Sequence, residues 1–321
     1  MNSKIYSRPG FNNYNILAKP KRSQFNFTWL FAIIAGAALL ALAIYGAVKI
    51  GDTQRHQSDT EIAKTLDILT DPMQAGWADS KGSRISFKKE TRINNFCSDF
   101  EFGKNTLSVA TKSGIGAEWN RAGGEVAVKD KYIFSSLEEG KDYFVFSRAF
   151  EFPYKVSDLI FMSSKEYCFT GASPQIVRDV EGIGVEIIKT QNCSSDSVKV
   201  CFNSGDDCEI VVHGDENSGY VVKNKEDYNY VGNLLYGAIF SDKDVYDCNV
   251  QRLLYRTGKI AEVYIDTGRA REANGVGTNL IPQLMFFKDS VMNKSQENFI
   301  SLIPIMNNLE QINNNEVGGL W

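Results

Sequence analysis

Residues 25–48 read FNFTWLFAIIAGAALLALAIYGAV, and these 24 residues carry no charge. Their polar side chains are Asn26 and Thr28, both near the start. At 1.5 Å per residue, about 20 helical residues cross a hydrocarbon core of ~30 Å, so the stretch is long enough to span a membrane. A buried helix of a soluble core is the competing reading, and length without charge argues against it. A cleaved secretory signal has a shorter apolar region followed by a small-residue site. Gly46-Ala47 supplies such residues, but the run here is longer and its basic leader occupies residues 1–24. No second stretch is comparable: 280–287 is short and contains Pro282 and Gln283.

The flanks give an orientation. The leader contains Lys4, Arg8, Lys19, Lys21 and Arg22 and no acid. The far flank mixes Lys49, Arg55 and Lys64 with Asp52, Asp59, Glu61, Asp67 and Asp71. Positive flanks stay in the cytoplasm. The expectation is a cell-membrane protein spanning the bilayer once, N-terminus inside and residues from about 50 onward outside. The whole chain carries −4 and the leader +5, which leaves −9 on the rest. Such a surface does not attract a phosphate backbone, so no nucleic-acid partner is expected. With 321 residues, 43% hydrophobic and 23% charged, the chain is neither disordered nor a multi-span bundle.

The helix need not end at the bilayer. Residues 49–72 contain one glycine, Gly51, and no proline before Pro72. Ile62, Leu66 and Leu69 recur at spacings of four and three, an apolar stripe on a helical stalk. Pro72 then breaks the pattern. A single helix over 25–70 would be about 70 Å long.

Lys21-Arg22-Ser23-Gln24, followed at once by the apolar helix, resembles archaeal type IV pilin-like proteins with a class III signal. The resemblance covers about 30 residues. It implies that a membrane peptidase cuts between Ser23 and Gln24. The chain departs from the family at Thr28, the fifth position after that cut, where filament-forming members usually carry Glu. Small residues spaced by four (Ala32 and Gly36, Ala37 and Ala41, Ala43 and Ala47) would let two such helices approach closely and self-associate. Ala and Gly are also common in any membrane helix.

The remainder is large enough for a substantial ectodomain. Over 73–243 the pattern is mostly period two. Ile85 and Phe87, Leu107 and Val109, and Val126 and Val128 alternate with polar residues. Tyr132–Phe134, a turn over 137–140 and Tyr143–Phe146 read as a hairpin whose second strand stops at Pro153. Ile183, Val185 and Ile187 alternate again, and Val198–Phe202 can pair with 209–213. Alternation with frequent turns points to antiparallel sheet. From 244 the period becomes helical, with Val250, Leu253, Leu254, Ala261 and Tyr264 on one face, Asp244 or Asp247 as cap, and Gly268 as stop. Two further helices are expected over 279–292 and 295–312. The fold class is therefore α+β: a transmembrane helix over 25–48, a stalk over 49–72, a β-rich ectodomain over 73–243 and a helical region over 244–321.

Cys97, Cys168, Cys193, Cys201, Cys208 and Cys248 all follow the apolar helix. An even number in an oxidising space implies up to three disulfides, with 15 possible connectivities. Buried free thiols are the alternative. One bridge is expected among Cys193, Cys201 and Cys208, and Cys248 is placed to staple a helix to the sheet. Zinc is disfavoured, because no CxxC exists and His56 lies in the stalk.

No catalytic constellation emerges. His213 sits at a strand end beside Gly214-Asp215. There is no GxSxG, HExxH or Walker loop, and Gly182-Ile-Gly184 lacks the rest of a dinucleotide fingerprint. The acidic loops Asp206-Asp207 and Asp215-Glu216-Asn217 lack calcium-loop spacing. Neither catalysis nor a cofactor is expected. Asn192-Cys-Ser and Asn293-Lys-Ser are N-glycosylation sequons. The sequence supports a membrane-anchored structural or interaction protein. A tethered ligand-binding or sensing module is the alternative, with the aromatic run Tyr143–Tyr154 as a candidate lining if it is not core.

Overall fold

A computed structural model describes residues 27–74, 82–112, 118–203, 205, 207–316 and 319–321. The leader, with Ser23 and Gln24, lies outside these residues, as do most of the Gly/Ser-rich joint and Asp206. The chain divides into two compact units, Met1–Asp52 and Thr53–Trp321.

The elements in chain order are α1 (Phe27–Gln74), β1 (Ser83–Ser98), β2 (Lys104–Thr111), β3 (Val126–Lys129), β4 (Tyr132–Phe134), β5 (Glu138–Glu151), β6 (Lys155–Ser163), β7 (Tyr167–Thr170), α2 (Pro174–Ile183), β8 (Ile188–Lys189), β9 (Val198–Phe202), β10 (Ile210–Gly214), β11 (Ser218–Lys223), β12 (Glu226–Val231), α3 (Leu234–Phe240), α4 (Lys243–Ala273), α5 (Leu280–Met292) and, after a 3-10 turn over Phe299–Leu302, α6 (Ile303–Asn315). The class is α+β, with the long apolar helix first, sheets next and helices last.

The first unit contributes the apolar part of α1, whose large side chains, Trp29, Phe31, Leu39 and Leu42 among them, are exposed. The helix is long and apolar enough to cross a membrane. Trp29 and Tyr45 lie about 24 Å apart along its axis, the amphipathic rings that favour the two edges of a bilayer.

In the second unit two six-stranded sheets are ordered β3-β2-β1-β5-β6-β4 and β12-β11-β10-β9-β7-β8. They are mixed rather than purely antiparallel: β4 runs parallel to β6, and β9 runs parallel to both β7 and β10. The expected pairing of 198–202 with 209–213 is present, but in the parallel sense. Tyr132–Phe134 does not form a hairpin with Tyr143–Phe146. β5 begins at Glu138 and has both edges occupied, by β1 and β6, so β4 must pair on the far side of β6.

Both faces of the first sheet are covered. On one, Ala63 and Leu66 of α1 pack on Ile93, Leu107, Val109, Ile133, Tyr143, Val145 and Ile160. On the other, Phe134, Phe146, Leu159 and Phe161 join a core shared with the second sheet, α2 to α6 and the C-terminal Leu320. Burial on both faces explains why β6 is buried over Val156–Ser163 instead of alternating. One core thus contains residues from both sides of the expected 243/244 boundary.

Several local expectations are corrected. The buried stripe of α1 is Asp59, Ala63, Leu66 and Thr70, while Leu69 is 46% exposed. The helix runs two residues past Pro72, where a missing N–H affects only the last turn. Ile183 is not in a strand: it ends α2, capped by Ser173 Oγ at one end and by left-handed Gly184 at the other. Asp242, not Asp244 or Asp247, stands at the N-cap of α4. Asp247 instead pairs with Lys243 one turn earlier. Gly268 does not stop α4 but lies buried inside it, where a Cβ would come within 2.9 Å of Ile281 Cγ1, so it sets the close approach of α5.

Candidate functional site

Within the second unit, the distal part of α1 is built into the domain by polar contacts as well as apolar ones. Asp59 is buried. Its carboxylate accepts from Thr111 N at 3.3 Å and Thr111 Oγ1 at 3.0 Å. Burial raises its pKa, and these bonds oppose the shift. Thr60 Oγ1 accepts from Gly124 N at 2.7 Å. The buried Lys131 ammonium pairs with Asp67 at 2.7 Å and Asp71 at 2.6 Å.

All six cysteines are paired, as Cys97–Cys248, Cys168–Cys193 and Cys201–Cys208. Cys248 ties α4 to β1, and Cys201–Cys208 closes a short loop after β9. Beside the first bridge lies Arg252, fully buried, with four neutral hydrogen-bond acceptors. It donates to Phe102 O at 2.9 Å, Lys131 O at 3.0 Å, and Asn105 Oδ1 and Asn249 Oδ1 at 2.7 Å each. Its guanidinium lies 4.5 Å from the Tyr132 ring centre.

A second buried cation, Lys223, donates to the carbonyls of Ala238 and Ile239 at 3.1 Å and to that of Ser241. These are the free carbonyls at the end of α3, so the ammonium caps the helix. Desolvation pushes its pKa down to about 8. A cavity of about 390 Å³ borders it. With three carbonyls engaged, Lys223 is a structural group rather than a free nucleophile. Nearby, buried Glu138 accepts from Ser163 Oγ at 2.9 Å and from Ser164 N. Burial raises its pKa.

His213 stacks on Tyr220, ring centres 4.7 Å apart, on the outer face of the second sheet. Among the described residues no group of three His, Cys, Asp or Glu is placed to hold a metal. Asn192 and Asn293 are both exposed. Asn293 Nδ2 donates to Asp289 O at 2.8 Å. In the other sequon, the middle residue Cys193 is committed to a disulfide.

A cavity of about 870 Å³ opens where β5, α2, the β10–β11 turn, the end of β12 and α6 meet. Its wall is built on Arg148, which is 7% exposed. Arg148 Nε and Nη2 donate to Asp179 Oδ1 at 3.0 and 2.9 Å. Tyr236 Oη donates to the other carboxylate oxygen. Asn233 Nδ2 donates to Ala149 O at 2.8 Å and ties the α3 start to β5. Tyr143, Phe146, Phe152 and Tyr154 of the aromatic run are core, and only Phe150 borders this cavity. The sequence reading passed over Arg148. Its signal is the one charge inside YFVFSRAF (143–150), which must find a partner when buried.

No known protein family, curated protein or solved structure matches the chain.

Proposed function

We propose that the chain is a membrane-anchored structural or interaction protein that holds its globular unit outside the cytoplasm, with its N-terminus inside. The observation that carries this reading is α1: one helix whose first part, Thr28 apart, exposes apolar side chains and whose later turns supply core residues to the domain. Three disulfides fit an oxidising exterior. The basic leader supports the inward N-terminus.

The finer reading is a pilin-like surface subunit, released by cleavage between Ser23 and Gln24 and self-associating through the Ala/Gly-rich helix. Its support is the leader motif together with a helix that continues from the apolar segment into a β-rich unit. Thr28 is the feature that sets it apart from filament formers. N-terminal sequencing and intact mass of protein purified from its own membranes test this. A mature chain starting at Gln24 supports prepilin-type processing. An intact leader would remove the pilin-like reading and leave a fixed single-pass anchor.

A further inference from the structure

We propose that the 870 Å³ cavity bounded by Arg148, Asp179, Asn217, Asn307 and Glu310 is a binding site for a neutral, hydroxyl-rich ligand, a saccharide unit of an oligosaccharide. This goes beyond the anchoring function and does not depend on cleavage or filament formation.

The volume falls within the roughly 300–1,000 Å³ of small-molecule sites. The wall is rigid before any ligand arrives. Arg148 and Asp179 neutralise one another, and Tyr236 fixes the remaining carboxylate oxygen from within the core. Arg148 therefore offers no free positive charge to an anion. Around this wall stand side chains that make no hydrogen bond or ion pair among the described residues: Asn217, Asn307, Glu151 and Glu310. Arg178, at the rim, already donates to Gln175 Oε1 at 2.7 Å.

This set selects a ligand class. Each amide offers both donors and an acceptor, and each carboxylate accepts through two oxygens. A sugar hydroxyl is donor and acceptor at once, so it can satisfy both kinds of group. An anionic ligand would meet two unpaired carboxylates against one Arg178. An aliphatic ligand would strand the two amides in a dry contact. Val231, Ile303 and Met306 supply apolar surface on the same cavity, which suits the C–H face of a pyranose ring. The floor is stable because Gly232 N donates to Asn217 O at 2.7 Å and Asp215 Oδ1 holds the N–H groups of Asn217 and Ser218.

The test uses the full chain in lipid nanodiscs, so that no sugar-headed detergent competes. It is screened against an array of neutral hexose and N-acetylhexosamine oligosaccharides, with uronate and glucosamine counterparts, and hits are titrated by calorimetry. The expected result is retention of a neutral oligosaccharide, weakened tenfold or more by Asn217→Ala and by Asn307→Ala. Both residues are exposed and their side chains make no internal bonds, so the fold should survive, as an unchanged melting curve would show. Three results would overturn the proposal. One is that no neutral sugar is retained. Another is that binding is indifferent to both substitutions. The third is retention of glucosamine oligomers alone, lost in Glu151→Gln and Glu310→Gln, which would reassign the cavity to a cationic ligand.

Discussion

Two buried cations show how much a single side chain can hold. Arg252 ties α4 to β2, to the β1–β2 turn and to the residue before β4 by donating to four neutral acceptors, two of them the side chains of Asn105 and Asn249. Arg252→Ala would remove these bonds from the core, with Asn105 Oδ1 keeping only the Ile133 N–H, and should lower stability by about 3–5 kcal/mol in urea denaturation. Arg252→Lys should recover little, because one ammonium cannot span acceptors that a planar fork reaches in several directions. Equal midpoints for wild type and Arg252→Ala would contradict this account. Lys223 makes a pH prediction. Its folded pKa, about 8, lies below the ordinary 10.5. Below pH 8 both states keep the proton and stability is flat with respect to this group. Between pH 8 and 10 the unfolded chain binds more protons, so stability rises with pH, by on the order of 2 kcal/mol. Above pH 10 the sign reverses. Burial holds the phenols of Tyr143, Tyr167, Tyr228 and Tyr230 well above their usual value, and the unfolded chain ionises first. A stability maximum near pH 10 that flattens on its acid side in Lys223→Met is the expected result. An unchanged profile in that variant would mean that Lys223 is charged throughout.

Among elements, α1 depends on close approach to the loop before β3. A Cβ on Gly123 would come within 2.6 Å of Thr60 N and 2.8 Å of the Asp59 carbonyl carbon. Neither is a flexible side-chain end, so Gly123→Ala must push helix and loop apart. It should cost about 1–3 kcal/mol. Hydrogen exchange locates the effect: amides of residues 59–70 should lose protection while those of β6 keep it. Uniform loss would argue for a global rather than a local role. The same helix shows what a sequence reveals. Its apolar length and its charge-free run need only counting, and 279–292 needs only a helical period. The buried stripe escapes a hydrophobic period because Asp59 and Thr70, not Leu69, are its buried members: Asp59 is satisfied by Thr111, and the Thr70 hydroxyl donates to Asp67 O at 2.8 Å. The helix α3, LLYGAIF, is buried on every side and has no period to read. The helix α2 was passed over although Ser173-Pro174 is a sound helix start, because Ile183, Val185 and Ile187 mimic a strand. Parallel pairing and the cavity assembled from β5, α2 and α6 depend on connections between distant segments, and period two says nothing of those.

At the scale of the molecule, the question is where the anchor ends and the domain begins. Sequence places the boundary at Pro72, with residues 49–72 as a stalk outside the ectodomain. The compact unit instead starts at Thr53. A chain starting at Thr53 keeps Ala63 and Leu66 on the sheet, Asp59 on Thr111, and Asp67 and Asp71 on Lys131. It should be monomeric without detergent and melt cooperatively. A chain starting at Met73 exposes Leu107, Val109, Tyr143, Val145 and Ile160 together and leaves the buried Lys131 without its carboxylates. Loss of Leu66 burial alone costs about 1.5–3 kcal/mol. The unpaired ammonium adds to it, and the contiguous apolar face invites association. The shorter chain should therefore bind a hydrophobic dye, aggregate on gel filtration and melt well below the longer one. Equal melting temperatures and equal monomer fractions would show that the sheet does not need its helix, and would return residues 53–72 to the status of a detachable stalk.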